Sequence, residues 1–488
     1  MFQINQNRVP LLEAMKEYAN KDIASFDVPG HKRGRGNDVL NQYYGEHIMR
    51  LDTNSLPLLD HVGNPTGVIK EAQQLLAEAY GADAAFFMAN GSTSAIQAML
   101  LAVLRPNDKI LIPKNIHKSA LNGLILSGAI PVYMQPEICE IEGIVKNVTV
   151  REVERHLEMH PDAKAVFVLN PTYFGHVSKL NEISELCHKK GVFLLADEAH
   201  GAHFPFHQDM PSSAIMAGAD ISAVSVHKTG GALTQASTLL VKKDRVNLEN
   251  VRNAVNILQS TSVSYLLMGS LDGARYNLVQ NGEKLISQVL SLRQFAKEEI
   301  NKIEGFSVVD EMDYYDKTKL LINTTRLSIT GFQVYELLWQ KYDVQLELCE
   351  TGHVLAIISL GDEMKDITKL IEALNEIAEL YYNPKLVSLN EINLQKISSV
   401  VKMSPRDAHF SPKKLIDLSL AVGCISAESI MAYPPGIPLI SPGEMITSRF
   451  VDLINDLKAK EAFIVDNVDP ELKKIMVVSD HEGVVKYV

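Results

Sequence analysis

Cysteine is scarce in this sequence, and the few cysteines present form no motif for metal binding or electron transfer. The four are Cys139, Cys187, Cys349 and Cys424, and none lies close enough to another to make a CxxC pair. Their spacing gives no sign of a disulfide framework, so we expect ordinary thiols in a reducing compartment.

Long apolar runs and an excess of basic charge are also missing. No run of about 18 apolar residues occurs, so no membrane span is predicted. Residues 1–19 are polar and amphipathic, without the apolar centre of a signal peptide. Acidic side chains outnumber basic ones by 59 to 47, a net charge of -12 that repels nucleic-acid phosphates and anionic lipid. We therefore expect a cytoplasmic protein without a membrane or nucleic-acid partner.

The length and the hydrophobic pattern indicate an α/β protein with more than one domain. The chain has 488 residues, more than one small core can hold, and 46% of them are hydrophobic. Between residues 84 and 241, short apolar runs alternate with helical patterns. This alternation is typical of a parallel sheet covered by helices on both faces. Active sites of such folds lie at the carboxyl ends of the strands.

The same pattern divides the chain into four predicted parts. Residues 1–67 form an N-terminal arm and an irregular segment, and residues 68–304 form the large parallel-sheet domain. Residues 305–394 form a small α+β domain, and residues 395–488 form a C-terminal segment rich in turns.

Two strand ends carry residues suited to an aldehyde cofactor. Lys228 follows a short apolar run and precedes two glycines after Thr229, so its amine can enter a crevice and form an imine. Asp197 ends an earlier apolar run and could keep the pyridine nitrogen of pyridoxal phosphate (PLP) protonated. Ala199 would leave room for the flat ring. Taken alone, the lysine motif is more often an ordinary surface lysine after a strand.

Two further segments could complete such a site. Asn90–Ser94, called the phosphate loop below, lies between a strand and a helix, where amides and hydroxyls can bind phosphate. An ordinary helix cap explains this segment equally well. His117 follows another strand and could stack on the cofactor ring or cap a helix. Phosphate loop, stacking residue, strand-end acid and strand-end lysine follow one another in the order of the aspartate-aminotransferase-like PLP fold.

The acid-rich segment around Asp197 allows two other interpretations. Asp197–His200 spells the acidic box of some helicases, but the required upstream loop, G-x-x-x-x-G-K-[ST], is absent. His200, His203 and His207 could bind zinc with Asp197, but this segment contains a proline and lacks the i, i+4 pairing of zinc helices. We predict no metal site and place His200 near the cofactor.

Several longer strings resemble the Orn/Lys/Arg decarboxylases, a family of PLP enzymes of fold type I. The strings are Val28–Gly34, Ser225–Lys228 and Tyr433–Pro438, with Asn170–Gly175 and Ser404–Ala408 as further similar segments. The resemblance runs from about residue 10 to residue 460. It implies an aspartate-aminotransferase-like fold and PLP as cofactor.

The resemblance also implies roles for individual residues. Lys228 would bind PLP covalently, and His227 beside it would assist proton transfer. Asp197 would pair with the pyridine nitrogen, and His117 would stack on the ring. The further cofactor contacts expected are Gly91, Thr93, Ser94, Ala199, His200 and Ser225.

Three more residues resemble family positions outside that cluster. Ser260 and Thr261 would reach the phosphate bound by a neighbouring subunit. Glu347 would be an acid on the substrate side. A helix cap and an exposed surface acid are the alternatives for these positions.

The activity implied is PLP-dependent decarboxylation of a basic L-amino acid in polyamine biosynthesis. Arginine is favoured, with lysine and ornithine as alternatives. The larger inducible members of the family carry an N-terminal wing domain, for which there is no room before residue 28, so a homodimer or homotetramer with active sites at the subunit interface is expected. An aminotransferase is the second candidate. Such enzymes usually hold the substrate α-carboxylate with an arginine, and the sequence does not place Arg50, Arg275 or Arg406 in that role. A binding protein without cofactor is the third.

Overall fold

The structure, a computed structural model, describes most of the chain. It covers residues 4–139, 142–309, 314–384, 400–432, 437–459, 464–465 and 467–479. Four residues of the Tyr433–Pro438 string, 433–436, lie outside these ranges. Among the described residues, none of the helices combines the length and the apolar character needed to cross a membrane.

Helices and strands alternate through the first half of the chain, as the apolar pattern predicts. The helices are α1 (Pro10–Asn20), α2 (Asp38–Tyr44), α3 (Glu46–Leu51), α4 (Val68–Ala79), α5 (Gly91–Val103), α6 (Lys118–Ser127), α7 (Val150–Met159), α8 (Leu180–Lys189), α9 (Val226–Thr229), α10 (Leu248–Leu258), α11 (Tyr265–Ile300), α12 (Gly331–Tyr342), α13 (Met364–Tyr381), α14 (Pro405–Phe410) and α15 (Ser448–Ala459). The strands are β1 (Ala84–Met88), β2 (Lys109–Pro113), β3 (Ile130–Met134), β4 (Ala165–Leu169), β5 (Phe193–Asp197), β6 (Ile221–Val224), β7 (Ser237–Val241), β8 (Ser307–Val308), β9 (Lys319–Asn323), β10 (Leu348–Cys349), β11 (His353–Ile357), β12 (Lys413–Asp417), β13 (Ile430–Ala432), β14 (Ile437–Ile440), β15 (Ile464–Val465) and β16 (Lys474–Val478).

The chain forms two compact units, and the first comprises Met1–Val103 and Phe193–Leu285. Its strands lie in the order β1-β7-β6-β5. β5 and β6 are parallel, whereas β7 is antiparallel to both β6 and β1. The α/β class is confirmed, but the sheet is mixed and not parallel throughout. The reason lies in the connection from β6 to β7, which contains only the four-residue helix α9 and not the longer crossover that a parallel neighbour needs.

The second unit comprises Leu104–Val192 and Ile286–Val488. β2 lies between β4 and β3 and is parallel to both. All five residues of β4 are buried, as expected for a parallel strand covered on both faces. A separate antiparallel sheet has the order β10-β11-β9-β8. Two smaller sheets, β12-β16 and β14-β13-β15, form the C-terminal part.

A buried ion pair fastens the N-terminal segment of the first unit to α11. Arg275 and Asp272 lie one turn apart on α11, with both side chains fully buried and Nη2 2.7 Å from Oδ1. Arg275 Nη1 donates to the carbonyl of Gln6, 2.8 Å away. Asp272 Oδ2 accepts the amide of Leu11, 3.0 Å away, at the start of α1. Two charges inside the core therefore satisfy the backbone of the segment that packs over it.

Replacing Arg275 with methionine should destabilise the protein strongly. The variant Arg275→Met leaves the Asp272 carboxylate buried without its cation, which costs about 3–5 kcal/mol in comparable cases. Urea unfolding followed by far-ultraviolet circular dichroism measures the loss.

Arg8→Met provides the matched control. Arg8 is half exposed and pairs at 2.9 Å with Glu13 and at 2.6 Å with Glu71. Exposed pairs of this kind contribute about 1 kcal/mol or less. Equal losses in both variants would contradict the structural role assigned to the buried pair.

Candidate active site

Lys228 lies just beyond the end of β6 and contacts a buried histidine. Ser225 is the N-cap residue of α9, and Lys228 is the third residue of that helix. The Lys228 side chain is exposed, and its Nζ lies 3.0 Å from Nε2 of His200, which is 5% exposed. A protonated amine donates in this hydrogen bond, and the unprotonated ring nitrogen accepts. The amine is thus accessible and yet fixed in position.

Asp197 leaves the sheet at the same edge. It is the last residue of β5 and lies in register with Ala223 of β6. Its side chain is 6% exposed, and Oδ1 accepts the amide of Ala199 at 3.1 Å. Parallel pairing therefore brings the predicted acid and the lysine segment to neighbouring strand ends.

The adjacent acid, Glu198, points the other way. It is fully buried and accepts hydrogen bonds from the Ala214 amide at 2.6 Å and from the Ser222 hydroxyl at 2.8 Å. In an acidic box of the helicase kind, the acids point at the metal and the nucleotide. Both carboxylate oxygens of Glu198 instead accept hydrogen bonds inside the core. Among the described residues, no cluster of three or more His, Cys, Asp or Glu side chains could hold a metal ion.

His227 is held by the chain that returns after α9. Its Nδ1 lies 3.0 Å from the carbonyl oxygen of Ala236, which also accepts the His227 amide at 3.1 Å. A carbonyl only accepts, so Nδ1 carries the proton and donates. Burial lowers the pKa of His227, the Ala236 hydrogen bond raises it, and the nearby Lys228 charge lowers it further. His227 is therefore neutral at pH 7, with Nε2 as its proton-accepting atom.

The phosphate loop forms the N-terminus of α5. Gly91 has φ +73, a left-handed conformation that favours glycine, and its amide donates to the Gln235 carbonyl at 3.0 Å. The Ser94 hydroxyl donates to the Gly91 carbonyl at 3.0 Å, which closes the first turn. Thr93 is exposed beside it. The loop thus presents a helix N-terminus with its positive dipole end, the usual place for a phosphate group.

Gln259 is a residue of this region that the sequence did not single out. Its Oε1 accepts the Ala89 amide at 3.2 Å, and Asn90 Nδ2 donates to the Leu258 carbonyl at 3.2 Å. These bonds hold the end of α10 against the phosphate loop of the same chain. The predicted residues Ser260 and Thr261 follow directly and are exposed.

His117 belongs to the second unit and caps α6. Its Nδ1 accepts the Ser119 amide at 3.2 Å and lies 2.8 Å from the Ser119 hydroxyl. The ring itself is exposed. The structure therefore shows that Nδ1 of His117 caps the helix. Stacking of its exposed ring on the cofactor stays a prediction.

Glu347 is exposed and bonded to a tyrosine distant in sequence. The Tyr173 hydroxyl donates to Glu347 Oε1 at 2.5 Å. Tyr173 lies inside the Asn170–Gly175 string, the one signal that could have identified it. A carboxylate has about four acceptor positions, so this bond leaves Glu347 able to accept from a cation.

Comparisons with known proteins show which family the chain is similar to. The family model described as Orn/Lys/Arg decarboxylase, major domain, matches residues 9–313, and the model of the C-terminal domain of that family matches residues 391–466. An arginine decarboxylase of Halalkalibacterium halodurans is 39% identical over 98% of this chain and 99% of its own length. An arginine decarboxylase of Bacillus subtilis is 41% identical over 92% of this chain and 94% of its own length.

Solved structures show the same fold. Lysine decarboxylase A from Pseudomonas aeruginosa superposes with a TM-score of 0.84 at 21% identity, covering 96% of this chain and 80% of that one. An alanine–glyoxylate aminotransferase from Nostoc has a TM-score of 0.52 at 18% identity, over 63% of this chain and 86% of its own. The aspartate-aminotransferase-like fold predicted from the sequence is confirmed, and the chain belongs to the Orn/Lys/Arg decarboxylase family.

Proposed function

We propose that this protein decarboxylates L-arginine to agmatine and carbon dioxide with PLP as cofactor. The observation that carries the proposal is the similarity to two arginine decarboxylases over nearly the whole of both chains. Agmatine is a precursor of polyamines, so polyamine biosynthesis is the proposed context. A cytoplasmic location and a homodimer or homotetramer remain part of the proposal.

The residues at the strand ends fit PLP. The Ser225 side chain is fully buried, its hydroxyl does not cap α9, and it has no hydrogen-bond partner among the described residues. An unpartnered buried hydroxyl beside a helix N-terminus is what a phosphate group would satisfy. Lys228 supplies an exposed primary amine, and Asp197 supplies a buried carboxylate at the neighbouring strand end.

Each part of the cofactor has a proposed holder. Ser225, Thr93 and Ser94, with the amides that begin at Gly91, would hold the phosphate. Asp197 would hold the protonated pyridine nitrogen, with Ala199 and His200 close to it. When bound, PLP supplies an electron sink for the electron pair of the breaking bond between Cα and the carboxylate. His117 would cover the ring.

Two side chains would manage the proton that replaces carbon dioxide on Cα. Lys228 Nζ can deliver this proton, because its hydrogen bond to His200 holds the amine in a fixed position. His227 can exchange protons at Nε2, since Nδ1 is committed to Ala236. We assign the donor role to this pair of neighbours.

Glu347 is the proposed partner of the substrate side chain. A guanidinium binds a carboxylate through two parallel hydrogen bonds, whereas an ammonium is a point charge. The Tyr173 hydroxyl fixes one oxygen of Glu347 and so limits its rotation. A fixed, planar acceptor favours arginine over lysine and ornithine.

Replacing Ser225 with alanine should weaken PLP binding by about tenfold, the effect of losing one hydrogen bond to a charged group. Titration of the apoprotein with PLP, followed by the visible absorption band, measures the dissociation constant. Ser178→Ala is the matched control, because the Ser178 hydroxyl is also buried and without a partner among the described residues. Equal PLP affinity of Ser225→Ala and the parent protein would remove Ser225 from the phosphate site.

The reaction is tested by offering the PLP-loaded protein arginine, lysine and ornithine separately. Release of agmatine and carbon dioxide from arginine is expected, with much slower release of cadaverine or putrescine from the other two. Lys228→Ala should lose about 10³-fold or more in turnover, while Lys243→Ala, which removes an exposed lysine, should change little. Conversion of bound PLP to pyridoxamine phosphate without amine release would instead indicate an aminotransferase.

Glu347→Gln should raise the KM for arginine by about fivefold with a smaller effect on kcat, since an exposed ionic contact is worth about 1 kcal/mol. Steady-state kinetics with arginine measure both constants. Glu379→Gln changes an exposed acid on α13 and serves as control. An unchanged KM in Glu347→Gln would show that the guanidinium binds elsewhere.

A further inference from the structure

We propose that a buried ion pair between Lys114 and Glu444 positions His117, so that the C-terminal part of the chain sets the geometry of the cofactor-covering histidine. The inference rests on the proposed function in one respect, the role of His117. Lys114 and Glu444 are positioning residues in this proposal and touch neither cofactor nor substrate.

The pair is enclosed and tightly bonded. Lys114 Nζ lies 2.7 Å from Oε1 and 2.5 Å from Oε2 of Glu444, with the two residues 6% and 2% exposed. The ammonium also lies 4.4 Å from the centre of the Tyr133 ring. Burial lowers the pKa of Lys114, and the Glu444 charge opposes that shift. Buried charges persist only when paired in this way.

Glu444 is itself fixed before it meets the lysine. Its Oε2 accepts the Ser441 amide at 2.6 Å, and its backbone carbonyl accepts the Ser426 amide at 2.8 Å. These two bonds hold the Glu444 carboxylate in one orientation, so Lys114 can pair with it in one geometry. Such a contact specifies geometry more than it adds stability.

The segment between Lys114 and His117 transmits that geometry. Lys114 directly follows β2, and its amide donates to the Met134 carbonyl at 3.0 Å. Asn115 Nδ2 donates to the Lys146 carbonyl at 3.3 Å, and Ile116 is 1% exposed. His117 comes next and is the N-cap residue of α6. Only two residues separate Lys114 from His117, so a change in the position of Lys114 is expected to move His117.

The C-terminal part also holds the other end of α6. Arg406, in α14, donates from Nη1 to the Leu126 carbonyl at 3.0 Å. Gly128 ends α6 in a left-handed conformation, φ +75, and a Cβ there would lie 3.2 Å from Arg406 Cδ. The C-terminal part of the chain therefore contacts α6 at both ends, through Glu444 just before the helix and through Arg406 at its last turn.

Glu444→Gln tests the pair in the PLP-loaded full-length protein. The variant leaves the Lys114 charge buried alone, so the lysine has to lose its proton or leave the core. We expect about tenfold weaker PLP binding, because a displaced His117 ring loses its stacking contact with the cofactor, an interaction of about that size. We also expect faster hydrogen exchange in peptides covering residues 113–127, measured in the apoprotein.

Asp272→Asn is the matched control, because it breaks another fully buried ion pair, that with Arg275. It should lower the melting temperature as Glu444→Gln does, yet leave PLP affinity and exchange at residues 113–127 unchanged. If Glu444→Gln also lowered the melting temperature but left PLP affinity and hydrogen exchange at residues 113–127 unchanged, the proposal would be overturned, because the pair would then only stabilise the fold.

A double-mutant cycle with His117→Ala tests transmission. If Glu444 acts through His117, Glu444→Gln adds no further loss of PLP affinity in the His117→Ala background. Additive losses contradict the proposal.

A second variant covers the case in which Glu444→Gln does not fold. Lys114→Met/Glu444→Leu removes both charges and keeps the buried volume, so the protein should melt at or above the parent temperature. Weaker PLP binding and faster hydrogen exchange at residues 113–127 are still expected, since apolar side chains at positions 114 and 444 do not fix the orientation of this segment. Parental values for both would overturn the proposal. A parent protein that shows no PLP absorption refutes the proposed cofactor, while exchange at 113–127 still decides whether the pair holds the segment.

Discussion

The parallel pairing of β5 with β6 is the constraint on which the candidate site depends. Its register sets Asp197 opposite Ala223, so that the acid and residues 225–228 leave the sheet side by side. Glu198, turned into the core behind Asp197, accepts from Ser222 of β6 and fastens the two strands. A slip of one residue would exchange the directions in which Asp197 and Glu198 point.

The sequence was informative wherever function and local pattern coincide. Alternating apolar runs predicted the α/β class. Strand-end position made Asp197 and Lys228 candidates, and the order of the four segments and the family resemblance then assigned them their predicted roles. The direction of β7 was not predictable, because a buried apolar run reads the same for parallel and antiparallel strands. The bonds Tyr173–Glu347 and Lys114–Glu444 join residues 174 and 330 positions apart, and such distant contacts leave no periodic trace in a single sequence.

Two buried ion pairs serve similar purposes in the two units. Asp272 and Arg275 satisfy backbone groups of the N-terminal segment, and Glu444 meets Lys114 next to the segment that begins α6. In each case an irregular stretch is attached to a regular element. Charges suit this task because their desolvation is offset in one geometry alone, whereas apolar contacts tolerate sliding.

The reversal of the chain at β7 also limits where this protein can change in length. The Gln235 carbonyl binds Gly91 of the phosphate loop, and the next carbonyl, that of Ala236, binds His227 through both backbone and ring. Residues 230–236 therefore span a fixed gap, although surface loops usually absorb insertions without cost. One added residue would misplace both carbonyls together, so evolutionary insertions and engineered tags belong in other loops.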